Sequence, residues 1–285
     1  MAQVINTNVM SINSQRVLMN SQSSMATSLE RLSSGLRINR AKDDAAGLAI
    51  SQRFTAQIRG LEQANRNAND GISLLQTAEG ALDEVGNMLQ RMRELAVQSV
   101  NGTVSNSDKN SLQDEFAELT REIGRIMDST EFNGVNLLAT AKTLTMQVGF
   151  KAGGSYQINV STTNLKTGTA SAGTGVASVL KMSAAASGIG SGGAGTAVIG
   201  ILDNAINAIS AKRADFGAKQ NRLEATVRNN ANVVENQSAA RSRVLDTDFA
   251  KETANLTRTQ ILQQAGTAML AQANALPQNV LSLLG

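Results

Sequence analysis

The sequence predicts a mainly α protein: an elongated rod of long coiled-coil helices formed by pairing the N- and C-terminal halves, with a small β-hairpin and a short exposed central insertion. Three observations predict it. Phe54, Leu61, Ala68, Leu75, Leu82, Leu89 and Ala96 stand seven apart without a break, which is the repeat of a coiled-coil seam. Residues 1–15 and 261–285 carry no charged side chain, so the two ends match in chemistry. Only 2% of the 285 residues are aromatic although 41% are hydrophobic, a composition suited to thin bundles packed with Ala, Leu and Ile. A coiled coil of roughly 40 residues runs about 60 Å at 1.5 Å per residue, too long for a globule of this mass.

From the N-terminus, Ile5, Ile12 and Met19 recur every seven residues with Val9 offset by four. This stripe needs another helix as its partner. No cationic region precedes an apolar core and no small-residue cleavage site follows, so a secretory signal peptide is not expected. In "RLSSGLRINRAKDDAAGLAIS", Gly35 reads as a helix stop and Asp43 or Asp44 as the next N-cap. Arg37, Arg40 and Lys42 are expected to face those carboxylates across a short connector. In the long helix Ile58 and Ile72 supply a second seam. Its interior glycines, Gly71, Gly80 and Gly86, each cost about 1 kcal/mol against Ala, so close packing is expected to offset them. "NGTVSNSD" from Asn101 to Asp108 is a turn, with Ser107 and Asp108 as caps. Leu112, Phe116, Leu119, Ile123 and Ile126 then fold a second helix back on the first.

After "FNGVN" the period changes to two: Leu144, Met146, Val148 and Phe150 alternate, then Tyr156, Ile158 and Val160. That is a hairpin, and it needs the helices as a floor. Residues 161–200 are mostly Gly, Ser, Thr and Ala with Lys166 and Lys181 as the only charges. They read as a flexible or minimal exposed segment, so a short Gly-Ser linker in place of 165–195 should leave assembly intact. Ile209, Phe216 and Leu223, continued by Val227 and Val234, form a third bundle helix. "RSRVLDTDFAKE" repeats the connector chemistry, with Asp246 and Asp248. The last helix carries a stripe at Leu262, Ala265, Met269 and Leu276 backed by uncharged amides.

Several function classes are disfavoured. Cysteine and histidine are absent, which removes a disulfide framework, thiolate nucleophiles, the commonest general base and the commonest metal ligands. No cofactor is called for. The paired acids Asp43/Asp44 and Asp246/Asp248 raise a glycosidase reading, but catalytic carboxylates face one another about 5 to 9 Å apart across a sugar, and near neighbours on one chain do not. Net charge is +3 with a pI near 9.4, yet the basic residues are scattered among acids and stacking aromatics are scarce, so nucleic acid is not an expected partner. The C-terminal segment is long enough to cross a bilayer. Its amides Gln263, Gln264, Gln272, Asn274, Gln278 and Asn279 would lack partners in lipid, and it has no basic face for a surface anchor. Membrane insertion is not expected.

The two connectors, the opening "QVINTNVMSINSQ" and the closing "AQANALPQNVLSLLG" closely resemble bacterial flagellin over about residues 1–160 and 201–285. The resemblance implies a non-catalytic structural subunit that self-assembles into the flagellar filament for swimming motility. It implies export, unfolded, through the flagellum's own type III apparatus to an extracellular position, with an export chaperone, flagellar cap and junction proteins as further partners. Residues 1–42 and 241–285 become an inner layer around the export channel, with the apolar stripes as filament-core packing. Residues 43–160 and 201–240 become the bundle outside it, and 161–200 the variable exposed part. Amide and hydroxyl side chains can line a water-filled bore without electrostatically trapping the chains that pass. "LQRMREL" and "SLQDEF" look like the family segments contacted by vertebrate Toll-like receptor 5, a match that places Arg91, Leu95 and Glu115 at the contact. Ordinary bundle surface, with Arg91 and Glu115 paired across the helix hairpin, is the competing reading. A hook-filament junction protein of the same rod architecture is the alternative for the whole chain.

Overall fold

The computed structural model describes residues 7–162, 164–166, 174–184, 189 and 194–281. The elements are α1 (Val9–Ser34), α2 (Ala45–Val100), α3 (Asn106–Ser129), β1 (Glu131–Phe132), β2 (Val135–Asn136), β3 (Thr143–Gln147), a 3-10 turn (Gly154–Tyr156), β4 (Gln157–Ser161), α4 (Thr174–Ala184), α5 (Ala194–Leu245) and α6 (Phe249–Leu281). The fold is mainly α with two small antiparallel hairpins. It divides into two compact units, one of Met1–Ile58 with Glu235–Gly285 and one of Arg59–Val234.

The second unit holds the main apolar core. Leu61, Ala68, Leu75, Leu82, Leu89 and Ala96 of α2 are all buried, as the seven-residue repeat predicts. Of the expected second seam, Ile58 is buried and Ile72 is partly buried against the core, but the continuous second seam lies elsewhere. It runs three residues behind the first, through Ala64, Gly71, Ala78, Val85, Met92 and Ser99, all buried. Most of these side chains are small, so neighbouring elements approach α2 closely. Gly71 is one such close approach: a Cβ there would lie 3.0 Å from the Met146 sulfur and 3.3 Å from Leu223 Cδ1. The packing explanation does not extend to Gly80, where a Cβ would meet nothing within 4 Å, and at Gly86 the nearest atom is Ile209 Cγ2 at 3.9 Å.

Helix α3 is capped two residues before the expected Ser107. Ser105 is the N-cap: its Oγ accepts from the Asp108 backbone N–H and donates to Asp108 Oδ2 at 2.7 Å. The carboxylate also sits favourably against the helix N-terminus. Phe116, Thr120, Ile123 and Met127 form its buried face, with Leu112, Leu119 and Ile126 partly buried around them. Helix α5 is tied to α2 by Arg93 to Asp203 at 2.7 Å and Arg213 to Asp83 at 2.8 Å, and Ile209, Phe216 and Leu223 are buried as their spacing predicts.

Two hairpins follow α3. β1 and β2 pair antiparallel across Asn133 and Gly134, with φ of 50° and 73°, the left-handed pair that an Asn-Gly hairpin turn requires. β3 pairs antiparallel with β4, placing Leu144 opposite Val160 and Met146 opposite Ile158. Amides fix this ribbon to its helical floor: Asn67 Nδ2 donates to the Gln147 carbonyl at 3.1 Å and Asn230 Nδ2 to the Val148 carbonyl at 2.9 Å.

Within 161–200 the structure corrects the expected exposed insertion. α4 packs on α3, and Leu165, Val176, Val179, Ile189 and Val198 are all buried in the same core. Residues 194–200 already belong to α5. The Gly, Ser and Ala content hid a short apolar face at Val176, Val179 and Leu180, whose spacing of three and four is helical. Replacing 165–195 would therefore remove core, not slack chain.

Candidate functional site

The first unit contains the terminal helices and both connectors. Gly35 ends α1 in the left-handed conformation at φ 71°, its N–H donating to the Arg31 carbonyl, a geometry that costs glycine little. The two connectors then bond directly. The Arg37 N–H donates to the Leu245 carbonyl at 2.7 Å and the Thr247 N–H to the Gly35 carbonyl at 3.0 Å, with Leu36 and Asp246 as the bridged pair.

The carboxylates work on backbone. Asp44 Oδ1 accepts from the Gly47 N–H at 2.8 Å and caps α2; Asp248 Oδ1 accepts from Ala250 at 3.0 Å and caps α6. Asp43 Oδ2 accepts from the Arg40 N–H at 2.9 Å and the Asn39 N–H at 3.1 Å. The Arg40 amide above all, with the Asn39 amide and the Lys42 and Arg31 charges, holds the Asp43 carboxyl below its ordinary range despite some burial. The arginines do not face these carboxylates as expected. Arg37 donates to the Val244 carbonyl at 2.6 Å, and Arg40 pairs with Glu30 at 2.9 Å. Backbone N–H groups in the connector turn, at Asn39 and Arg40, and at the starts of α2 and α6 are fixed in position and already point at these carboxylates, so they take them first. Ile38 is buried against the start of α2, and Gly47 makes room for it: a Cβ there would meet Asp44 Oδ2 and lie 2.7 Å from Ile38 Cδ1.

α1 and α6 pair through an unexpected surface. The buried side chains of α1 are Ser11, Ser21 and Ser28. Ser21 Oγ donates to the Thr259 carbonyl at 3.2 Å and Asn8 Nδ2 to the Ala273 carbonyl at 2.7 Å. Leu18 reaches Gly266, where a Cβ would stand 3.4 Å from its Cδ1. Arg31 and the nearly buried Glu252 approach to 3.8 Å. Small and polar residues bring the two helices close, and counting large apolar residues in the sequence could not find them. The recurrence of Ser14, Ser21 and Ser28 every seven residues was the available signal.

The apolar stripes predicted at the ends are left outside this pair. Val9, Ile12 and Met19 are 68%, 57% and 62% exposed, and Leu262 and Met269 are 49% and 58% exposed; Ala265 is exposed as well. Ile5 and the Leu276 side chain lie outside the described residues. At about 100° per residue, Val9, Ile12 and Met19 fall on the side of α1 roughly opposite its buried serines. Met10, Val17, Leu29, Phe249 and Ile261 are exposed too. Among the described residues, ten of the exposed large hydrophobics therefore sit on these two helices, and uncovered apolar surface on this scale marks an interaction site.

On the second unit, Arg91 Nε donates to Glu115 Oε1 at 2.9 Å and Nη1 to Glu94 Oε2 at 3.0 Å. These bonds, to Glu115 first and Glu94 next, raise the arginine's pKa. Both partners are exposed. Leu95 is not: it is fully buried in the core, because position 95 lies beside both α2 seams. Its predicted place on a receptor-facing surface is corrected accordingly.

A paired-helix scaffold that closes its core in one unit and leaves apolar stripes uncovered on its terminal helices belongs to the class of self-assembling structural proteins. Residues 5–143 match the bacterial flagellin N-terminal helical region and residues 199–284 the bacterial flagellin C-terminal helical region. Over 282 residues, covering 99% of both chains, it is 48% identical to the flagellin of Halalkalibacterium halodurans. It is 45% identical to the flagellar filament 33 kDa core protein of Treponema phagedenis, again covering 99% of each. The chain belongs to the bacterial flagellin family, whose members are structural filament proteins and not enzymes. A solved putative flagellar hook-associated protein from Vibrio parahaemolyticus shares the fold, with a TM-score of 0.60 over 72% of this chain and 100% of that one at 12% identity.

Proposed function

We propose that this chain is the subunit of the bacterial flagellar filament, polymerised through the exposed stripes of α1 and α6. The observation that carries this reading is the uncovered apolar surface of the terminal pair in a chain related to flagellins along its whole length. Neighbouring copies supply the partner that α1 and α6 do not supply to each other. Each apolar side chain covered in the polymer contributes about 1.5–3 kcal/mol. Residues 1–42 and 241–285 form the inner layer around the export channel, where the uncharged stretches 1–15 and 261–285 offer Asn, Gln, Ser and Thr to wet the bore. Residues 43–160 and 201–240 form the layer outside it.

Export through the type III apparatus, an export chaperone, and the cap and junction proteins belong to the same reading, supported by the resemblance of the termini and connectors. Recognition by Toll-like receptor 5 would fall on the exposed Arg91 and Glu115 pair, with Leu95 holding α2 in place from beneath. Electron microscopy of the purified chain tests the central reading: long filaments growing from seeds support a filament subunit. Short caps or discrete rings that never elongate would favour the junction-protein alternative.

A further inference from the structure

Methionine exposure differs between the two units. Met92 and Met127 are fully buried in the second unit's core, whereas Met10, Met19 and Met269 on α1 and α6 are 62%, 62% and 58% exposed. Met19 and Met269 belong to the stripes themselves, and Met10 lies beside Val9. Thioether sulfur is a soft nucleophile whose oxidation follows its exposure, and the sulfoxide is polar where the thioether was apolar. We propose that Met10, Met19 and Met269 form an oxidant-sensitive site that blocks polymerisation, with peroxides as the class of reactant. In the step, the sulfur lone pair attacks one peroxide oxygen. The O–O bond breaks and an S–O bond forms; sulfur is oxidised by two electrons, and hydrogen peroxide is reduced to water.

The consequence falls on assembly and spares the fold. A sulfoxide dipole on an exposed helix face stays hydrated in the free subunit, so the second unit keeps its core. Covering the same dipole with an apolar neighbour strips that hydration and leaves a strong acceptor without a partner. Once a filament has formed, the same sulfurs are shielded by their neighbours. Oxidation thus acts on subunits before incorporation and hardly at all afterwards. Reduction of the sulfoxide restores the thioether, so the block is reversible.

This inference rests on the filament reading, and one experiment separates the two. Full-length monomer is treated with hydrogen peroxide, oxidation is mapped by peptide mass spectrometry, and elongation from sheared seeds is timed before and after treatment with methionine sulfoxide reductases A and B. The expected result is oxidation at Met10, Met19 and Met269 with Met92 and Met127 spared, unchanged helical circular dichroism, elongation at least about tenfold slower, and recovery on reduction. The Met10→Leu, Met19→Leu, Met269→Leu variant is compared with its own untreated half and should lose sensitivity to peroxide. Equal elongation of oxidised and untreated wild type, or a triple variant as sensitive as wild type, overturns the proposal while the filament reading stands. Failure of untreated monomer to elongate overturns both.

Discussion

Asp43 is the residue whose electrostatics are most specific to the connector. Its carboxylate accepts the Arg40 and Asn39 backbone N–H groups, which hold its pKa below that of an ordinary aspartate carboxyl. A depressed carboxylate pKa contributes stability that is fully present above the unfolded value and is lost as pH falls through the lower folded value. The connector is therefore expected to loosen below about pH 4, and Asp43→Asn to flatten that part of the profile. Acid titration of wild type and variant, followed by amide exchange at Asn39 and Arg40, checks it; identical profiles would remove Asp43 from the account. Glycines give a second prediction at this scale. Gly80 is helical and unobstructed, so Gly80→Ala should stabilise the monomer by roughly 0.5–1 kcal/mol. Gly71→Ala should fall short of it by about 1 kcal/mol or more, because Met146 and Leu223 must give way. Chemical denaturation of both variants decides.

Among the elements, α4 makes the sharpest test. Val176 and Val179 are fully buried, and each large-to-small core change costs about 1–3 kcal/mol or more. Val176→Ala with Val179→Ala should destabilise the second unit by roughly 2–5 kcal/mol, read as a lower urea midpoint at unchanged slope. A change under about 0.5 kcal/mol would return the segment to the status of surface chain. What the sequence disclosed at this scale depended on side-chain size. The seam from Leu61 to Leu89, the faces of α3 and α5 and the β3–β4 hairpin stood out because large apolar residues marked them. The seam through Ala64, Gly71 and Ala78, the serine face of α1 and the short face of α4 were hidden by small residues whose burial leaves little compositional trace. Connector chemistry was legible in part. Gly35 and Asp44 act locally and were readable, whereas Arg37 reaches a carbonyl 207 positions away in sequence, which local spacing does not encode.

At the scale of the whole molecule, the described part of the terminal pair buries three serines, one alanine and Glu252, and no large apolar side chain. Ordering backbone costs about 1–2 kcal/mol per residue, so the pair gains much of its stability from neighbouring copies, and folding of the ends is coupled to polymerisation. Limited proteolysis should trim roughly 40 residues from each end of the monomer, leave α2 intact from Phe54 to Ala96, and spare the same ends in filaments. Equal resistance of the ends in both forms would contradict the coupling. The most direct measurement is seeded elongation by full-length chain carrying Ile12→Asn and Leu262→Asn, two exposed stripe positions that the terminal pair does not cover. Losing the burial of both side chains removes about 3 kcal/mol or more per interface, roughly a hundredfold in subunit affinity. The account predicts unchanged helical circular dichroism in the monomer and no measurable elongation at concentrations where wild type grows; growth at the wild-type rate would contradict it.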